Sequence, residues 1–242
     1  MQPRKPLKII PNHNVMHLRV LDLFSGTGSV AKALPDAEVI SVDSNHKFNC
    51  TYTTDILMWD YKSIYKPGDF DLIWASPPCQ HYSAAKTHGI RNLELADALA
   101  KRALEIIDYL RPSQYVIENP RSGLLKTRPF MQELPFYDVT YCHYGFGHMK
   151  PTRIWSNVTD FKPRFCKQGD RCPGFLHEHN CHCVSLRRAP GNPNSNAKQK
   201  ALIERGLVTC LTSPTERARV PPMLIRALLT CPQTAMQPPW TA

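Results

Sequence analysis

Residues 17–29 read HLRVLDLFSGTGS, and this stretch decides the fold. Its first part, from His17 to Phe24, is a short apolar run typical of a buried strand. The run leads directly into a glycine-rich turn that ends at Ser29. The glycines allow the backbone to turn tightly and to approach a ligand closely. A strand that enters such a turn predicts a nucleotide-type binding site in an α/β protein.

The sequence on the C-terminal side of this turn alternates between helix and strand patterns. It predicts a helical turn at 30–34, a strand at 37–43, a strand at 70–75, a helix from about Leu93 to Leu110 and a strand at 115–117. The apolar face of the long helix is predicted to consist of Leu95, Leu99, Ala103, Ile106, Ile107 and Leu110. We therefore expect an α/β fold with a mostly parallel sheet. Each strand ends in polar or glycine-rich residues, at the edge where open α/β sheets bind ligands.

The composition excludes several classes of protein. The chain has 242 residues, of which 42% are hydrophobic and 21% charged, so a fully disordered or fibrous protein is excluded. It contains no run of about 18 apolar residues, and its basic start lacks the apolar stretch of a signal peptide. We expect an intracellular protein that has no membrane partner.

The positive charge is concentrated in the second half of the chain. The formal net charge is +10, and residues 140–242 hold 14 of the 30 Lys and Arg but only 5 of the 20 Asp and Glu. This asymmetry predicts a polyanionic partner, most simply nucleic acid. A solvated basic surface is the alternative.

Two acidic residues are candidates for holding a nucleoside. Asp43 ends the second predicted strand, where a carboxylate can accept hydrogen bonds from ribose hydroxyls, although a structural strand-end Asp is equally compatible with the pattern. Asp55 can receive the amino group of an adenine-type base. The turn lacks the third glycine of a dinucleotide site and the Lys of a phosphate loop. Together these features indicate S-adenosylmethionine.

Two further strand ends carry candidate chemistry. Ser76-Pro77-Pro78-Cys79 follows the third strand, and the prolines fix the position of a thiol suited to nucleophilic attack. The alternative is an ordinary buried cysteine. Glu118-Asn119-Pro120 ends the fourth strand, where a polar cap of a turn is the alternative reading.

In this order, the motifs resemble those of the C5-cytosine DNA methyltransferases. Residues 22–28 are similar to the family's cofactor loop, 77–80 to its nucleophile motif, 118–119 to its acidic motif and 152–153 to the end of its arginine motif. The resemblance covers about residues 18–155 and again 217–230, and it extends to small enzymes of phages and large DNA viruses. It implies a Rossmann-like fold of S-adenosylmethionine-dependent methyltransferases. It also implies an address in the cytoplasm of a prokaryotic or virus-infected cell, or in a nucleus.

The resemblance implies methyl transfer to C5 of cytosine in DNA, with the target base flipped out or already single-stranded. Cys79 is then the nucleophile, Glu118 contacts N3 and the amino group of the base, and Arg153 lies near its O2. The implied cofactor-binding residues are Phe24, Ser25, Gly26, Thr27, Gly28, Ser29, Asp43, Ser44, Asp55, Ile56 and Pro77. The implied substrate-binding residues are Gln80, Ser83, Asn119 and Lys150. Lys150 replaces the first arginine of the usual Gln-x-Arg-x-Arg pattern, which is one residue out of register here. RNA as the substrate and a catalytically degenerate nucleic-acid-binding relative both remain open.

A cysteine- and histidine-rich stretch follows the motifs. The candidate metal ligands are Cys166, Cys172, Cys181 and Cys183, and the histidines near them are His177, His179 and His182. Their density favours structural zinc, whereas their spacing is not that of standard Cys-x2-Cys modules, so free thiols are the alternative. The predicted organisation is a flexible basic N-terminus (1–16), a catalytic core (17–155), a short basic target-recognition segment with the cysteine cluster (156–215), and a C-terminal helix and tail (216–242).

Overall fold

The computed structural model describes residues 18–83, 89–167, 172, 175–176, 181–182, 184–185, 201–202, 204–207, 209–210 and 213–234. Seven strands form its central sheet: β1 (Arg19–Leu23), β2 (Glu38–Asp43), β3 (Tyr52–Thr53), β4 (Leu72–Ala75), β5 (Gln114–Pro120), β6 (Phe136–Thr140) and β7 (Pro151–Ser156). Their spatial order is β3-β2-β1-β4-β5-β7-β6. β7 runs antiparallel to both of its neighbours, and every other pair in this sheet is parallel. The predicted mostly parallel sheet is therefore confirmed.

The remaining elements are short, apart from one long helix. The α-helices are α1 (Ser29–Ala33), α2 (Leu93–Leu110), α3 (Pro214–Ala218) and α4 (Pro222–Leu229). Short 3₁₀ helices lie at Tyr61–Ser63, Leu124–Thr127, Pro129–Met131 and Tyr141–Tyr144. Outside the sheet, β8 (Phe175–Leu176) pairs with β9 (Cys181–His182), and β10 (Val184–Ser185) pairs with β11 (Thr209–Cys210). Among the described residues, no helix is both long and apolar enough to cross a bilayer.

The sheet separates two hydrophobic clusters because successive side chains of a strand point to opposite faces. Leu21 and Ile73 belong to the cluster that contains the buried side chains of α2. Val20 and Trp74, one position away in the same strands, belong to the cluster that contains buried side chains of α1 and α4. The sheet is thus covered by helices on both faces, as parallel sheets require.

The long helix α2 has the predicted bounds. The Asn92 side chain caps its first turn by accepting a hydrogen bond of 2.9 Å from the Leu95 amide. Its buried stripe runs through Ala96, Ala100 and Ala103. The prediction that Leu95 belongs to this stripe is wrong. Leu95 precedes Ala96 by one position, about 100° around the helix, and is 42% exposed.

The C-terminal helix α4 packs back onto the core, as predicted. Leu224 and Leu228 are fully buried, and the Arg226 guanidinium donates a hydrogen bond of 2.9 Å to the carbonyl of Ala33 in α1. The Gln114 amide of β5 donates to the Leu228 carbonyl at 3.2 Å. The predicted N-terminal segment 1–16 lies outside the described residues.

Candidate active site

A pocket of about 320 Å³, partly open to solvent, lies beyond the carboxyl ends of β1, β2 and β4. It is lined by Phe24, Val42, Asp43, Ser44, Thr54, Asp55, Ile56, Pro78 and Leu99. Five of these residues belong to the set predicted for the cofactor. Leu99 comes from α2, and sequence reasoning placed it in the core. The carboxyl edge of the sheet, where open α/β folds bind ligands, therefore holds a cavity with two carboxylates in its wall.

The turn after β1 is held in shape by Asp43. The Gly26 amide donates to one oxygen of the Asp43 carboxylate at 2.9 Å, and the Asn45 amide donates to the other oxygen at 2.8 Å. Gly26 and Gly28 have positive φ angles of 53° and 69°, which favour glycine. A Cβ atom on Gly28 would meet nothing within 4 Å, so the backbone is open to a ligand there. Each Asp43 oxygen keeps a second lone pair for a ligand hydroxyl.

Asp22 lies buried beneath this turn and is only 2% exposed. The Ser25 hydroxyl donates to its carboxylate at 2.7 Å. The pKa of Asp22 is raised to about 7, mainly by burial; the Ser25 hydrogen bond acts to lower it, and the negative charge of Asp43 adds to the rise. The carboxyl group is therefore close to half protonated at neutral pH.

Replacing Asp22 by Asn should flatten the pH dependence of stability. Because the pKa of Asp22 is raised on folding, its protonated form favours the native state, and this contribution is lost as the pH rises through about 7. The parent protein should lose about 1.4 kcal/mol of unfolding free energy between pH 6 and pH 8.5 through this group. Urea unfolding of both proteins without cofactor measures the difference. If the unfolding free energy depended on pH equally in the two proteins, the raised pKa of Asp22 would be contradicted.

Several other residues predicted to bind the cofactor do not line the pocket. Pro78, and not Pro77, lines the pocket, and the Pro77 carbonyl instead accepts a hydrogen bond of 2.8 Å from the Asn119 side chain. The Ser29 hydroxyl accepts from the Val220 amide at 3.2 Å and so ties the turn to the segment before α4. Ser25, Gly26, Thr27 and Gly28 form the turn itself.

Cys79 sits on a loop that is fixed on both sides. Before it, the Asn119 hydrogen bond holds the Pro77 carbonyl. After it, the amide of Tyr82 donates to the Cys79 carbonyl at 3.1 Å. The Tyr82 ring is fully buried, and its hydroxyl donates to Asp97 of α2 at 2.8 Å. These contacts position a half-buried thiol beyond the end of β4, next to Pro78 of the pocket.

Burial and one neighbouring charge favour the protonated form of the Cys79 thiol. Burial raises the pKa of Cys79, and the negative charge of Glu118 raises it further. The Lys150 ammonium acts in the opposite direction. Both charged groups are therefore close enough to influence the thiol. Its conversion to a thiolate would require a change in these surroundings, such as the arrival of a substrate.

Glu118 is the centre of a buried polar group on β5. Its side chain is 6% exposed, and its Oε1 accepts a hydrogen bond of 2.6 Å from the Tyr141 hydroxyl. The Lys150 ammonium lies 3.5 Å from the same oxygen and 4.7 Å from the centroid of the Tyr141 ring. A carboxyl, a phenol and an ammonium group thus converge at Glu118, and the charges of Glu118 and Lys150 act on the Cys79 thiol. We refer to Glu118, Tyr141 and Lys150 as the acidic-site triad.

The structure does not bring Arg153 to this triad. Its guanidinium forms two hydrogen bonds with Asp138, of 2.8 and 2.9 Å, and stacks on the Phe136 ring at 3.6 Å from the centroid. Burial raises the pKa of Asp138, but hydrogen bonds from Arg153 and Arg121 outweigh burial and hold it below its usual range. In the register of β5 and β7, Arg153 pairs with Asn119, whereas Glu118 pairs with Ile154. Because paired residues share a face, Arg153 lies on the face opposite Glu118.

The residues around the arginine motif differ in which face of the sheet they occupy. On this face of the sheet, the residues that alternate with Ile154 are Thr152 and, just before β7, Lys150. His148 lies two positions before Lys150. His148 is 3% exposed, and burial lowers its pKa to about 4, with Lys150 and His182 adding to the shift. The role of Arg153 near the base stays a prediction, and Lys150 is the basic residue that the structure places beside Glu118.

The three remaining predicted substrate residues surround the loop. Gln80 is exposed next to Cys79. The Ser83 carbonyl accepts a hydrogen bond of 2.8 Å from Arg91. Asn119 is 1% exposed, and its Oδ1 has no hydrogen-bond partner within the described part of the chain.

Two of the predicted metal ligands meet, together with two residues that were not in the predicted set. Cys166 and Cys172 lie with Cys142 and His182, and the four ligand atoms are all within 4.8 Å of one another. His182 was noted in the sequence only as a neighbouring histidine. Cys142 lies 24 positions before Cys166, within the predicted catalytic core, so spacing gave no signal for it. The Cys181 side chain and the whole of Cys183, His177 and His179 lie outside the described residues.

The strand order, the pocket at the ends of β1 and β2 and the thiol beside it define the class of S-adenosylmethionine-dependent methyltransferases. Residues 18–129 match the model of the family described as C-5 cytosine-specific DNA methylase. A protein of Frog virus 3 (isolate Goorha), named a probable DNA (cytosine-5)-methyltransferase, is 35% identical over 225 residues, covering 88% of this chain and 99% of the relative. The chain therefore belongs to the C5-cytosine DNA methyltransferases.

Among solved structures, one named a putative DNA modification methyltransferase encoded within a prophage (E. coli) is similar to this chain. The two share 17% sequence identity with a TM-score of 0.47. The match covers 62% of this chain and about half, 52%, of that structure.

Proposed function

We propose that this protein transfers the methyl group of S-adenosylmethionine to C5 of cytosine in DNA, with Cys79 as the covalent nucleophile. One observation carries the assignment of residues: Cys79 directly follows Pro78 of the pocket wall, and the negative charge of the buried Glu118 is near enough to raise the pKa of its thiol. Family membership supports the reaction, and the geometry supports the roles of these residues.

The pocket fits a sulfonium nucleoside by the chemistry of its wall. Asp43 offers carboxylate oxygens to ribose hydroxyls, Asp55 offers an acceptor to the adenine amino group, and Phe24 and Ile56 offer apolar contacts to the ring. The open backbone at Gly28 leaves room for the charged amino-acid end of the ligand. When bound there, S-adenosylmethionine supplies an electrophilic methyl group.

Cys79 provides the step that makes cytosine reactive. C5 of cytosine is a poor nucleophile, so the sulfur of Cys79 forms a bond to C6 and shifts electron density to C5. The thiol loses its proton in this step. Its sulfur supplies the electron pair of the new bond to C6, and the C5–C6 double bond becomes a single bond. C5 would then take the methyl group as the bond between that group and the sulfonium sulfur breaks and leaves a neutral thioether. Loss of the C5 proton to solvent would break the bond between C6 and the Cys79 sulfur and restore the ring. Cys79 is regenerated.

Glu118 stabilises the charge that the addition creates on the base. Its carboxyl group hydrogen-bonds N3 and the amino group, and a proton held between Glu118 and N3 neutralises the developing negative charge. The Tyr141 hydroxyl fixes the orientation of the carboxyl through its hydrogen bond of 2.6 Å. Lys150 supplies the positive charge on this face, at O2 of the base, in place of the predicted Arg153.

DNA is the proposed substrate because family membership and the positive charge of the C-terminal part both favour it. Residues 140–242 carry 14 Lys and Arg but only 5 Asp and Glu, and this excess of positive charge suits contact with a phosphate backbone. C5 and C6 are stacked inside a duplex, so the target base is either flipped out or already single-stranded. We place target recognition in segment 156–215. The substrate implies action in the cytoplasm of a prokaryotic or virus-infected cell, or in a nucleus.

The decisive assay is incubation with S-adenosylmethionine labelled with tritium in the methyl group, with duplex DNA, single-stranded DNA and RNA as separate substrates. We expect label in DNA, recovered as 5-methylcytosine after digestion. Label in RNA alone would transfer the activity to RNA cytosine. Cofactor binding without transfer to any substrate would support a catalytically degenerate relative.

Two matched variants test which basic residue of the arginine motif serves the reaction. Lys150→Met should lower kcat about 100-fold, because it removes the positive charge beside Glu118. Arg153→Met should leave kcat within a few-fold and lower the free energy of unfolding by about 1–3 kcal/mol through loss of its ion pair with Asp138. Lys150→Arg should recover most of the rate. The reverse pattern, with Arg153→Met inactive and Lys150→Met active, would restore Arg153 to the site.

A further inference from the structure

The cluster of Cys142, Cys166, Cys172 and His182 has the geometry of a metal site. The Nε2 atom of His182 lies 3.6 Å from the sulfur of Cys166 and 3.3 Å from that of Cys172. All four ligand atoms are within 4.8 Å of one another. In tetrahedral zinc sites with Zn–S near 2.3 Å and Zn–N near 2.0–2.1 Å, sulfur and nitrogen ligands are about 3.6 Å apart. The two separations from His182 are therefore close to the edges of such a tetrahedron, and the other pairs of ligand atoms lie within 4.8 Å.

The surroundings of the cluster favour a metal over free thiols. The three cysteines form a buried cluster separate from the two main cores, with exposures of 0%, 3% and 4%, and no other residue belongs to it within the described chain. A segment without a hydrophobic core of its own is the kind of structure that metal binding folds. The ligands also come from separate parts of the chain: Cys142 from the 3₁₀ helix after β6, and His182 from β9.

We propose that Cys142, Cys166, Cys172 and His182 bind one structural Zn²⁺, and that this site joins the recognition segment to the acidic-site triad. This set differs from the one suggested by the sequence, since Cys142 and His182 take the places of Cys181 and Cys183. Three thiolates and one imidazole form a closed structural zinc site. The ion would have no part in methyl transfer.

The link to catalysis runs through the residue next to Cys142. Tyr141 begins the same 3₁₀ helix, and its hydroxyl donates to Glu118 at 2.6 Å. On the other side of the cluster, the Cys166 amide donates to the Thr140 hydroxyl at 2.7 Å. An ion that holds both Cys142 and Cys166 therefore fixes Cys142 directly. It fixes Thr140 through the hydrogen bond between Thr140 and Cys166. Tyr141 lies between them and acts as a positioning residue for Glu118.

Metal content measured on the full-length protein tests the ligand set. The purified protein should contain about one equivalent of zinc, and Cys142→Ser and Cys166→Ser should each reduce it at least five-fold. Cys181→Ser, Cys183→Ser and the control Cys231→Ser, a half-buried cysteine outside the cluster, should retain it. Loss of zinc in Cys181→Ser or Cys183→Ser, with retention in Cys142→Ser, would overturn the assignment. So would metal-free protein with reduced thiols, or a disulfide within the cluster.

A second measurement does not depend on whether a variant folds. Exchange of the bound metal for Co²⁺ in the parent protein should give the absorption of a tetrahedral site with thiolate ligands. An octahedral spectrum, or none, would count against the site. Neither zinc content nor the Co²⁺ spectrum depends on methylation, so their failure is distinguishable from failure of the proposed function.

The proposed coupling between the zinc site and catalysis through Tyr141 rests on the proposed function. It is tested separately, by measuring kcat. Removal of zinc by a chelator should lower kcat about ten-fold while the Kd for S-adenosylmethionine stays within two-fold, and added zinc should restore kcat. General unfolding would weaken cofactor binding as well, which would contradict a positioning role. An unchanged kcat in metal-free protein would also remove the coupling.

Discussion

Cys79→Ser should lower methyl transfer at least about 10³-fold, because a serine hydroxyl is a far weaker nucleophile than a thiolate and stays protonated at neutral pH. The Kd for S-adenosylmethionine should stay within a few-fold of the parent value. The loop hydrogen bonds run through the backbone of Cys79 and its neighbours, so the substitution leaves them in place. Single-turnover transfer of tritium from the labelled cofactor to DNA measures the rate, and calorimetry measures cofactor binding.

A mechanism-based trap provides the control for this variant. DNA that contains 5-fluorocytosine cannot lose fluorine from C5, so the parent protein should remain attached to it through Cys79. Cys231→Ser should form the same adduct at the parent rate, because Cys231 lies outside the site. An adduct through another cysteine, or full activity in Cys79→Ser, would reject the nucleophile assignment.

Glu118→Gln should lower kcat about 10²–10³-fold, because an amide cannot share a proton with N3 of the base as a carboxyl group does. The amide oxygen can still accept the hydrogen bond from Tyr141, so the local structure should persist. The expected loss lies in kcat, with a smaller change in KM for DNA. Steady-state kinetics on one defined duplex measures both quantities.

The same variant should change the reactivity of Cys79 in the opposite direction. The negative charge of Glu118 raises the pKa of the Cys79 thiol, so its removal should lower that pKa and increase the thiolate fraction at neutral pH. Alkylation of Cys79 by iodoacetamide should therefore be faster in Glu118→Gln than in the parent. If alkylation and methylation both slowed, the substitution would have collapsed the site, and the role given to Glu118 would lose its support.

Local patterns were sufficient to predict the strands and turns that bear the site. Adjacent residues encode the apolar run before Phe24, the turn at Gly26 and the ends of β2, β4 and β5. The structure contains each of these elements. The choice between Lys150 and Arg153 could not be made this way. It depends on the register of β7 against β5, and a shift of one residue moves a side chain to the other face of the sheet.

The cysteine cluster shows a second limit. Spacing groups residues that are close in sequence, and it placed Cys166 and Cys172 together with Cys181 and Cys183. Cys142 joins the cluster only because the chain after β7 returns to the end of β6. Such a ligand is specified by tertiary structure, and no pattern within the segment contains it.

The outer position of β6 has a consequence for association between copies of the chain. An edge strand offers unpaired amide and carbonyl groups to any other strand and so invites intermolecular pairing. Here the chain that follows β7 runs past this edge: the Tyr137 hydroxyl donates to the Val158 carbonyl at 2.8 Å, and the Thr140 amide donates to the Arg164 carbonyl at 3.1 Å. This strap covers part of the edge that a foreign strand would pair with, so we expect the segment leading to Cys166 to disfavour association of copies through the sheet edge.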